Sequence, residues 1–459
     1  MTTDPTPTAT AHFVESIPTG MDDLRGSEST AEALIRLVGA ARATIDLTAM
    51  YWALIPNRDP GGDEEGWTVD ELAALGADRG DALLAALDAA AARGVRLRVI
   101  ESPGFDGSVP ESAALGANHP EQVSIRQVHT PDWYGTGIMH QKIWVFDGRA
   151  VYLGSANMDW KSMTQVKEIG VVVEDSPDVA AEVGQYFDTW WDFAGLDAEG
   201  RTAEVFDTTN QVQRRVPSWS TLVPEAARAD NPLETKQAYG QYPFEAPLSA
   251  GLGGEEGAVA LSGAPAELCT GRRTFDQDML TSTIADACSS VCISVMDFAP
   301  VSLYLAAPVW WPPLVDGLLS ALSPRQLTVR LMVSEWEHTS GLLAPYLDAL
   351  AGTAQAAFAA SGLSPGKLEI RRFRVPGWRS TGPRVGGQTP RFPGHTRVNH
   401  TKYIVTDRRI NVGTSNMTYD YFSGTAGASF NATHPTLVAQ LQAIFDRDWD
   451  SAYCWPIQG

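Results

Sequence analysis

Cysteine is scarce in this chain: Cys269, Cys288, Cys292 and Cys454 are the four among 459 residues. Their scatter excludes the disulfide framework of a small secreted domain. The step from Cys288 to Cys292 fits neither a zinc knuckle nor a CxxC redox pair, so all four read as buried free thiols. Long apolar runs are also missing: none approaches the ~20 residues that a membrane-spanning helix needs. The stretch from Met1 to Ala11 has neither the basic nor the apolar region of a signal peptide, so no stable membrane anchor and a cytoplasmic location are expected. Positive charge is short as well, with 34 Lys+Arg against 55 Asp+Glu and a net charge of -21. Such a surface repels phosphate backbones at long range and excludes broad coating of duplex DNA, while leaving room for a local basic cleft.

What is present is a globular composition. Hydrophobic residues make up 44% and charged residues 19%, with 14 Trp, 12 Tyr and 15 Phe, which excludes a disordered chain or a coiled coil. The length is about three times the ~150-residue domain prior, enough for two domains or one large double domain.

The chain is written twice in pattern rather than in identity. A helix leading into a strand is expected at Ala31 to Trp52 and again at Leu280 to Phe298. A second helix, Asp81 to Arg93, is closed by Gly94 and followed by a strand from Val95 to Ile100. Its counterpart is Leu314 to Leu322 with the strand Leu327 to Val333. Shorter strands follow at Val123 to Val128 and Leu368 to Arg374, then a hairpin in each half, then closing helices at Val179 to Phe193 and Leu437 to Trp449. The expected fold is α/β: two pseudo-symmetric lobes, each a mixed sheet flanked by helices, with a single site at their interface. The expected divisions are a disordered tail over 1–12, a first lobe over 13–195, an irregular crossover over 196–274 and a second lobe over 275–459. Pro56 to Asp78 and Pro376 to Arg397 are irregular and read as rim loops that shape access.

The two hairpins carry the chemistry. The first runs from His140 through Lys142 and Asp147 to Gly154, Ser155 and Asn157; the second runs from His400 through Lys402 and Asp407 to Gly413, Ser415 and Asn416. Residues two apart on a strand share a face, so His140 projects with Lys142 and His400 with Lys402. Asp147-Gly148 is a two-residue turn signal, and folding the chain there sets His140 opposite Ser155. The same construction at Asp407-Arg408 sets His400 opposite Ser415. Each hairpin thus offers His, Lys, Ser and Asn on one surface, which suits a tetrahedral oxyanion: donors for the nonbridging oxygens and a nitrogen base. Two copies make one site. With one imidazole as nucleophile and the other as general acid, a phosphodiester is cleaved through a covalent phosphohistidine, the lysines supplying the charge that a metal supplies elsewhere. Neither a metal nor another cofactor is expected. Ser155 and Ser415 are either oxyanion ligands or small hairpin residues. Asp147 and Asp407 are grouped with the catalytic set, although their offset from the histidines suits orienting the hairpin and its ionised groups better than touching substrate.

HxKxxxxD followed by Gly-Ser-x-Asn, twice in one chain, resembles the phospholipase D superfamily. The run from Tyr152 to Trp160, continuing through Ser162, Thr164, Gln165, Val166, Lys167 and Glu168, is similar to the branch containing mammalian phospholipase D family members three and four. So are Arg397 to His400, Gly413 to Asn416, Thr425 to Gly427 and Arg447 to Asp450, and the likeness extends from Val14 to Tyr453. That branch implies 5′-to-3′ exonuclease activity on single-stranded DNA and RNA, with lipid transphosphatidylation also ascribed to it. It implies His140 as nucleophile and His400 as acid, with the pseudo-symmetry leaving the order open. It further implies Glu168 as the carboxylate that orients the imidazole of the other half, and Tyr304 as an aromatic stacking on the terminal nucleotide, a core tyrosine being the alternative.

Three departures stand out. The membrane anchor of the family is not seen, Gly427 stands where a counterpart of Glu168 would fall, and the acidic surface suits a short strand end entering a narrow cleft. The competing substrate is a glycerophospholipid, for which Val309 to Pro312, with Trp310 and Trp311, is the candidate membrane-facing stretch; it reads here as packing against the second lobe.

Overall fold

The computed structural model describes residues 8–103, 109–234, 241–305, 307–325, 327–361, 366–385, 387 and 389–457. The doubled pattern folds as two mixed sheets with matching strand orders. In the first sheet Thr10–Ser16, Glu168–Glu174, Ala150–Gly154, Ile143–Phe146, Thr44–Ala49, Arg96–Glu101 and Val123–Gln127 follow one another. In the second the corresponding order is Glu255–Ala264, Gly427–Ala432, Ile410–Gly413, Lys402–Thr406, Ser290–Val295, Thr328–Ser334 and Lys367–Phe373. In each half the last three strands run parallel, joined by helical crossovers, and the hairpin is antiparallel to them.

The closing helices explain how the lobes join. Pro177–Phe193 starts with Pro in its first turn and buries Val179, Val183, Tyr186, Phe187 and Trp190, an i, i+3, i+4 stripe. Pro435–Trp449 does the same with Leu437, Leu441, Phe445 and Trp449. Both helices lie between the two sheets, in one core that also takes Val145, Leu153, Leu261, Tyr403 and Val412. Each fully buried aromatic of this layer contributes about 1.5–3 kcal/mol. The outer faces are covered separately, by Thr30–Ala40 and Asp78–Ala92 on one side and by Asp276–Asp286 and Pro313–Arg325 on the other.

Several boundaries differ from expectation. The tail expected over 1–12 is partly outside the described residues, and Thr10–Ser16 is a strand paired along its whole length with Glu168–Glu174. The segment expected as an irregular crossover holds the hairpin Thr202–Asp207 and Val212–Pro217 and two strands of the second sheet, Leu248–Leu252 and Glu255–Ala264. Glu255–Ala264 is the counterpart of Thr10–Ser16. Its run of Gly, Ala and Ser hides its strand character, and its partner, Gly427–Ala432, is distant in sequence.

The two rim loops meet across the lobes. Arg384 lies 3.8 Å over Trp67 and pairs with Glu71, its amide donates to the Glu65 carbonyl, and Trp67 Nε1 donates to Gly382. Of the candidate membrane-facing stretch, Trp311 is buried and stacked on Phe422 at 4.8 Å, whereas Trp310 is 59% exposed. Among the described residues no helix is long and apolar enough to cross a membrane. The cysteines are free, as expected, but only Cys292 and Cys454 are buried; Cys288 is exposed.

Candidate active site

A cleft of about 1740 Å³ opens between the lobes, with His140, Asn157, Glu168, His400 and Tyr421 on its floor. The two imidazoles face each other with ring centroids 6.3 Å apart, a gap suited to one phosphoryl group. Neither histidine lies within its hairpin ladder; each is held by the opposite lobe. The His140 amide donates to the Ala426 carbonyl, and the His400 amide donates to the Lys167 carbonyl. The Lys167 amide in turn donates to Val398, and its buried ammonium pairs with Asp448 at 2.7 Å and Glu15 at 3.4 Å. This ties the strand that carries Glu168 to both halves.

Each imidazole meets backbone of the opposite lobe, Thr414 for His140 and Ser155 for His400, and the pseudo-symmetry ends at Nδ1 of His400, which has a carboxyl beside it. His140 Nδ1 lies 2.8 Å from the Thr414 carbonyl oxygen. A carbonyl only accepts, so Nδ1 carries the hydrogen and Nε2 of the neutral ring is a bare nitrogen aimed into the cleft. His400 Nδ1 lies 2.9 and 3.0 Å from the two Glu168 carboxyl oxygens. Burial pushes the Glu168 carboxyl up to about 8, against the opposing pull of Lys402. Burial and the two lysines hold both imidazoles well below their usual value. One proton therefore sits between Glu168 and His400 Nδ1 at neutral pH. Whether it is closer to oxygen or nitrogen, His400 Nε2 keeps its own hydrogen. Gly427 leaves the matching place opposite His140 without a carboxylate, and a Cβ there would meet the Ser415 Oγ at 2.4 Å, so a side chain requires Ser415 to move.

Lys142 and Lys402 are buried, and each ammonium donates to the carbonyl of its own histidine, at 2.8 and 2.7 Å. Burial and the neighbouring Lys402 push Lys142 well down. Burial brings Lys402 down to about 7, with Glu168 and Asp297 opposing. An anion bound between these two lysines would favour their charged forms. Asn157 borders the cleft with its Oδ1 unpartnered. Asn416 is tied back, its Nδ2 donating to Asp297 at 2.9 Å and to the Tyr421 hydroxyl at 3.1 Å.

The serines correct the expected pairing. The first ladder joins Phe146 to Ala150 and Ile143 to Leu153, one residue off the register that would set His140 opposite Ser155. Asp147 and Gly148 both take positive φ and close a turn from Phe146 to Arg149, but the Arg149 carbonyl accepts from Ser176, which leaves Arg149 outside the ladder. The second ladder has the expected register. Ser155 accepts from the Ile169 amide and donates to its carbonyl, and Thr414, not Ser415, makes the equivalent contact with Ala428. Ser415 thus corresponds to Ala156, and its Oγ has no hydrogen-bond partner among the described residues. Ser155 ties the hairpin to Ile169 and also touches the site, its hydroxyl at Glu168 and its backbone at His400.

Asp147 and Asp407 do not join the histidines, which corrects their grouping with the catalytic set. The Asp147 carboxylate accepts from the amides of Arg42, Ala43 and Thr44, and Asp407 from those of Cys288, Ser289 and Ser290. Both cap the turn that enters the neighbouring parallel strand, at the far end of the hairpin from the histidines. Tyr304 is 60% exposed, which removes the core alternative, and its hydroxyl donates to Asp297 at 3.2 Å.

Sequence reasoning missed Tyr421, whose ring packs edge-on against His140 at 5.1 Å, and Asp297, pushed up to about 6 by burial. It also missed Tyr51, which donates to Asp159 beside the cleft. Asp297 and Tyr51 both follow the C-terminal ends of matching parallel strands, the position where α/β sheets gather their sites. That rule was the available signal.

Family models match on both sides of the chain: "Cardiolipin synthase, PLD-like domain" over residues 72–191 and "PLD3/4, PLD-like domain" over 210–377. Phospholipase D Z of Dictyostelium discoideum is 32% identical over 97% of this chain and 90% of its own. The human 5′-3′ exonuclease PLD3 is 32% identical over 96% and 80%, and the virion nicking-joining enzyme of vaccinia virus is 30% identical over 97% and 89%. Among solved structures, the phosphatidylserine synthase of Haemophilus influenzae shares the fold, with a TM-score of 0.54, 12% identity and coverage of 98% and 89%. The doubled site and these near full-length relatives lead to one conclusion: the chain belongs to the phospholipase D superfamily and is a phosphodiesterase.

Proposed function

We propose that the chain is a metal-independent 5′-to-3′ exonuclease on single-stranded DNA and RNA, working through a phosphohistidine on His140. The observation that carries the mechanism is the difference between the Nδ1 partners: a backbone carbonyl for His140, a protonatable carboxyl for His400. His140 Nε2 attacks phosphorus while the Nε2 hydrogen of His400 passes to the departing alcohol oxygen. The P–N bond forms as the P–O bond breaks, and the His400–Glu168 pair is left one proton short. That pair then takes a proton from water, whose oxygen attacks phosphorus and releases His140. Lys142, Lys402 and Asn157 face the charge that builds on the nonbridging oxygens. Tyr304, packed edge-on against Tyr421 of the cleft at 6.2 Å, stacks on the terminal base in this reading.

The polymer is supported by the exonuclease relatives. A second reading, a phospholipase D or transphosphatidylase on glycerophospholipids, is supported by the Dictyostelium relatives and by the exposed Trp310. Single-stranded oligonucleotides incubated in excess EDTA, with His140→Ala as blank, separate the two. Stepwise loss from the 5′ end, absent from the variant, is expected. No loss from folded enzyme, with choline released from phosphatidylcholine, moves the assignment to lipid.

A further inference from the structure

Charge is divided across the mouth of the cleft. The first-lobe wall carries Asp59, Asp63, Asp81, Asp88 and Glu111 against Arg58 and Lys161, with Asp63 paired to Lys161 and His395, so the wall remains acidic in balance and disfavours an anionic chain leaving in that direction. Residues 371–397 of the second lobe contain seven Arg and no Asp or Glu, in a chain of net charge -21. Most of these arginines are engaged: Arg372 and Arg374 share Glu335, Arg384 clasps Glu71, and Arg397 is buried against Gln165 and the Pro376 carbonyl. Arg379 and Arg391 are exposed and form no ion pair with a described residue. The Arg379 guanidinium rests 4.1 Å over Trp378, which limits its freedom. The Arg391 amide donates to the carbonyl of Ser380, which brings its backbone next to the residue that follows Arg379.

A path joins Arg379 to the catalytic floor. Trp336 borders both the main cleft and a second cavity of about 450 Å³ that reaches Trp378 and Arg379. At this junction the rings of His338 and His395 stack at 4.8 Å and 20°, with Trp336 edge-on to His338 at 4.8 Å. Flat aromatic surfaces beside unpaired guanidinium groups are the elements of sequence-tolerant binding to a single strand.

We infer that the strand leaves the catalytic cleft over Trp336 and His395 and runs onto Arg379 and Arg391, which hold its phosphates. The inference rests on the nuclease reading of the same site and adds where the uncleaved remainder binds. It is tested with the Arg379→Gln/Arg391→Gln double variant and three substrates: a single strand of about 20 nucleotides, a trinucleotide and bis(p-nitrophenyl) phosphate. For the long strand KM is expected to rise about tenfold, and the slope of log(kcat/KM) against log salt to become shallower by ~1.4, since each lost phosphate contact on a single strand contributes ~0.7. Turnover of the trinucleotide and the small diester is expected to stay within about twofold of wild type. An unchanged KM and salt slope on the long strand overturns the track and leaves the nuclease reading standing. An equal loss on the small diester assigns the loop to supporting the site and overturns the track as well. A wild-type enzyme that cleaves the small diester but neither binds nor degrades the long strand overturns both.

Discussion

The two lobes share a strand order, a hairpin and a His-Lys pair, yet their histidines receive different partners. Both meet backbone of the opposite lobe, His140 at Thr414 and His400 at Ser155, but only His400 also has a carboxyl, Glu168, at its Nδ1. The difference comes down to one position in matching strands, Glu168 against Gly427, where any side chain at Gly427 would have to displace the Ser415 hydroxyl. A duplicated scaffold thus supplies two similar bases with unequal surroundings, and the proposed mechanism assigns nucleophile and acid from that inequality.

The strongest way to break that division is to remove each histidine. His140→Ala is expected to lower kcat by roughly 10⁴-fold or more on every diester, since a covalent route has no substitute for its nucleophile. His400→Ala is expected to lose about as much on an oligonucleotide but to keep a first burst of p-nitrophenolate from bis(p-nitrophenyl) phosphate, whose leaving group needs no proton. Rapid-mixing absorbance checks both, and equal bursts from the two variants contradict the division.

Glu168→Gln comes next. The amide keeps the shape but cannot hand a proton between itself and His400 Nδ1, so kcat is expected to fall ~10²-fold with KM little changed, within the usual range for general acid–base assistance. The pH profile sharpens the same point. Lys402, brought down to about 7, is charged below that pH and loses its charge above it, and Glu168, pushed up to about 8, ionises on the same side. The profile of kcat/KM is therefore expected to fall as pH rises through about 7 to 8. On the acid side it should persist well below 6.5, because His140 stays neutral there. An alkaline limb near the ordinary lysine value contradicts the buried cation pair.

The smallest effects belong to the motif's aspartates. Asp147→Ala and Asp407→Ala each remove a cap over backbone amides at the far end of the hairpin, so a loss of about 1 kcal/mol in stability is expected, with kcat changed by less than about threefold. Thermal melts beside steady-state rates check this.

These aspartates also mark what the sequence makes legible. Period-two and period-3.6 patterns place the main strands and helices close to their observed ends: Asp78–Ala92 for the expected Asp81 to Arg93, and Thr328–Ser334 for Leu327 to Val333. The two histidines and Asn157 border one cleft, each lysine against its own histidine, as the doubled motif leads one to expect, and Glu168 meets His400 as the family resemblance implies. Three kinds of feature stay hidden. The carbonyl of Thr414 is backbone and leaves no mark in side-chain identity. Arg149 leaves its ladder because Ser176, on another element, takes its carbonyl. Glu255–Ala264 joins a sheet through a partner far along the chain, and its small residues resemble a linker until that partner is in place. The equivalence of Ser155 with Thr414 rather than Ser415 follows from hydrogen bonds to Ile169 and Ala428, contacts that the letters Gly-Ser-x-Asn do not encode.

The most direct test of the unequal histidines is the location of the covalent intermediate. His400→Ala is mixed with bis(p-nitrophenyl) phosphate, quenched under alkaline conditions that preserve phosphoramidates, digested and mapped by mass spectrometry. A phosphoryl adduct on His140, absent from His140→Ala treated in the same way, is the predicted result. An adduct on His400 in the wild-type enzyme, with His140 unmodified, contradicts it.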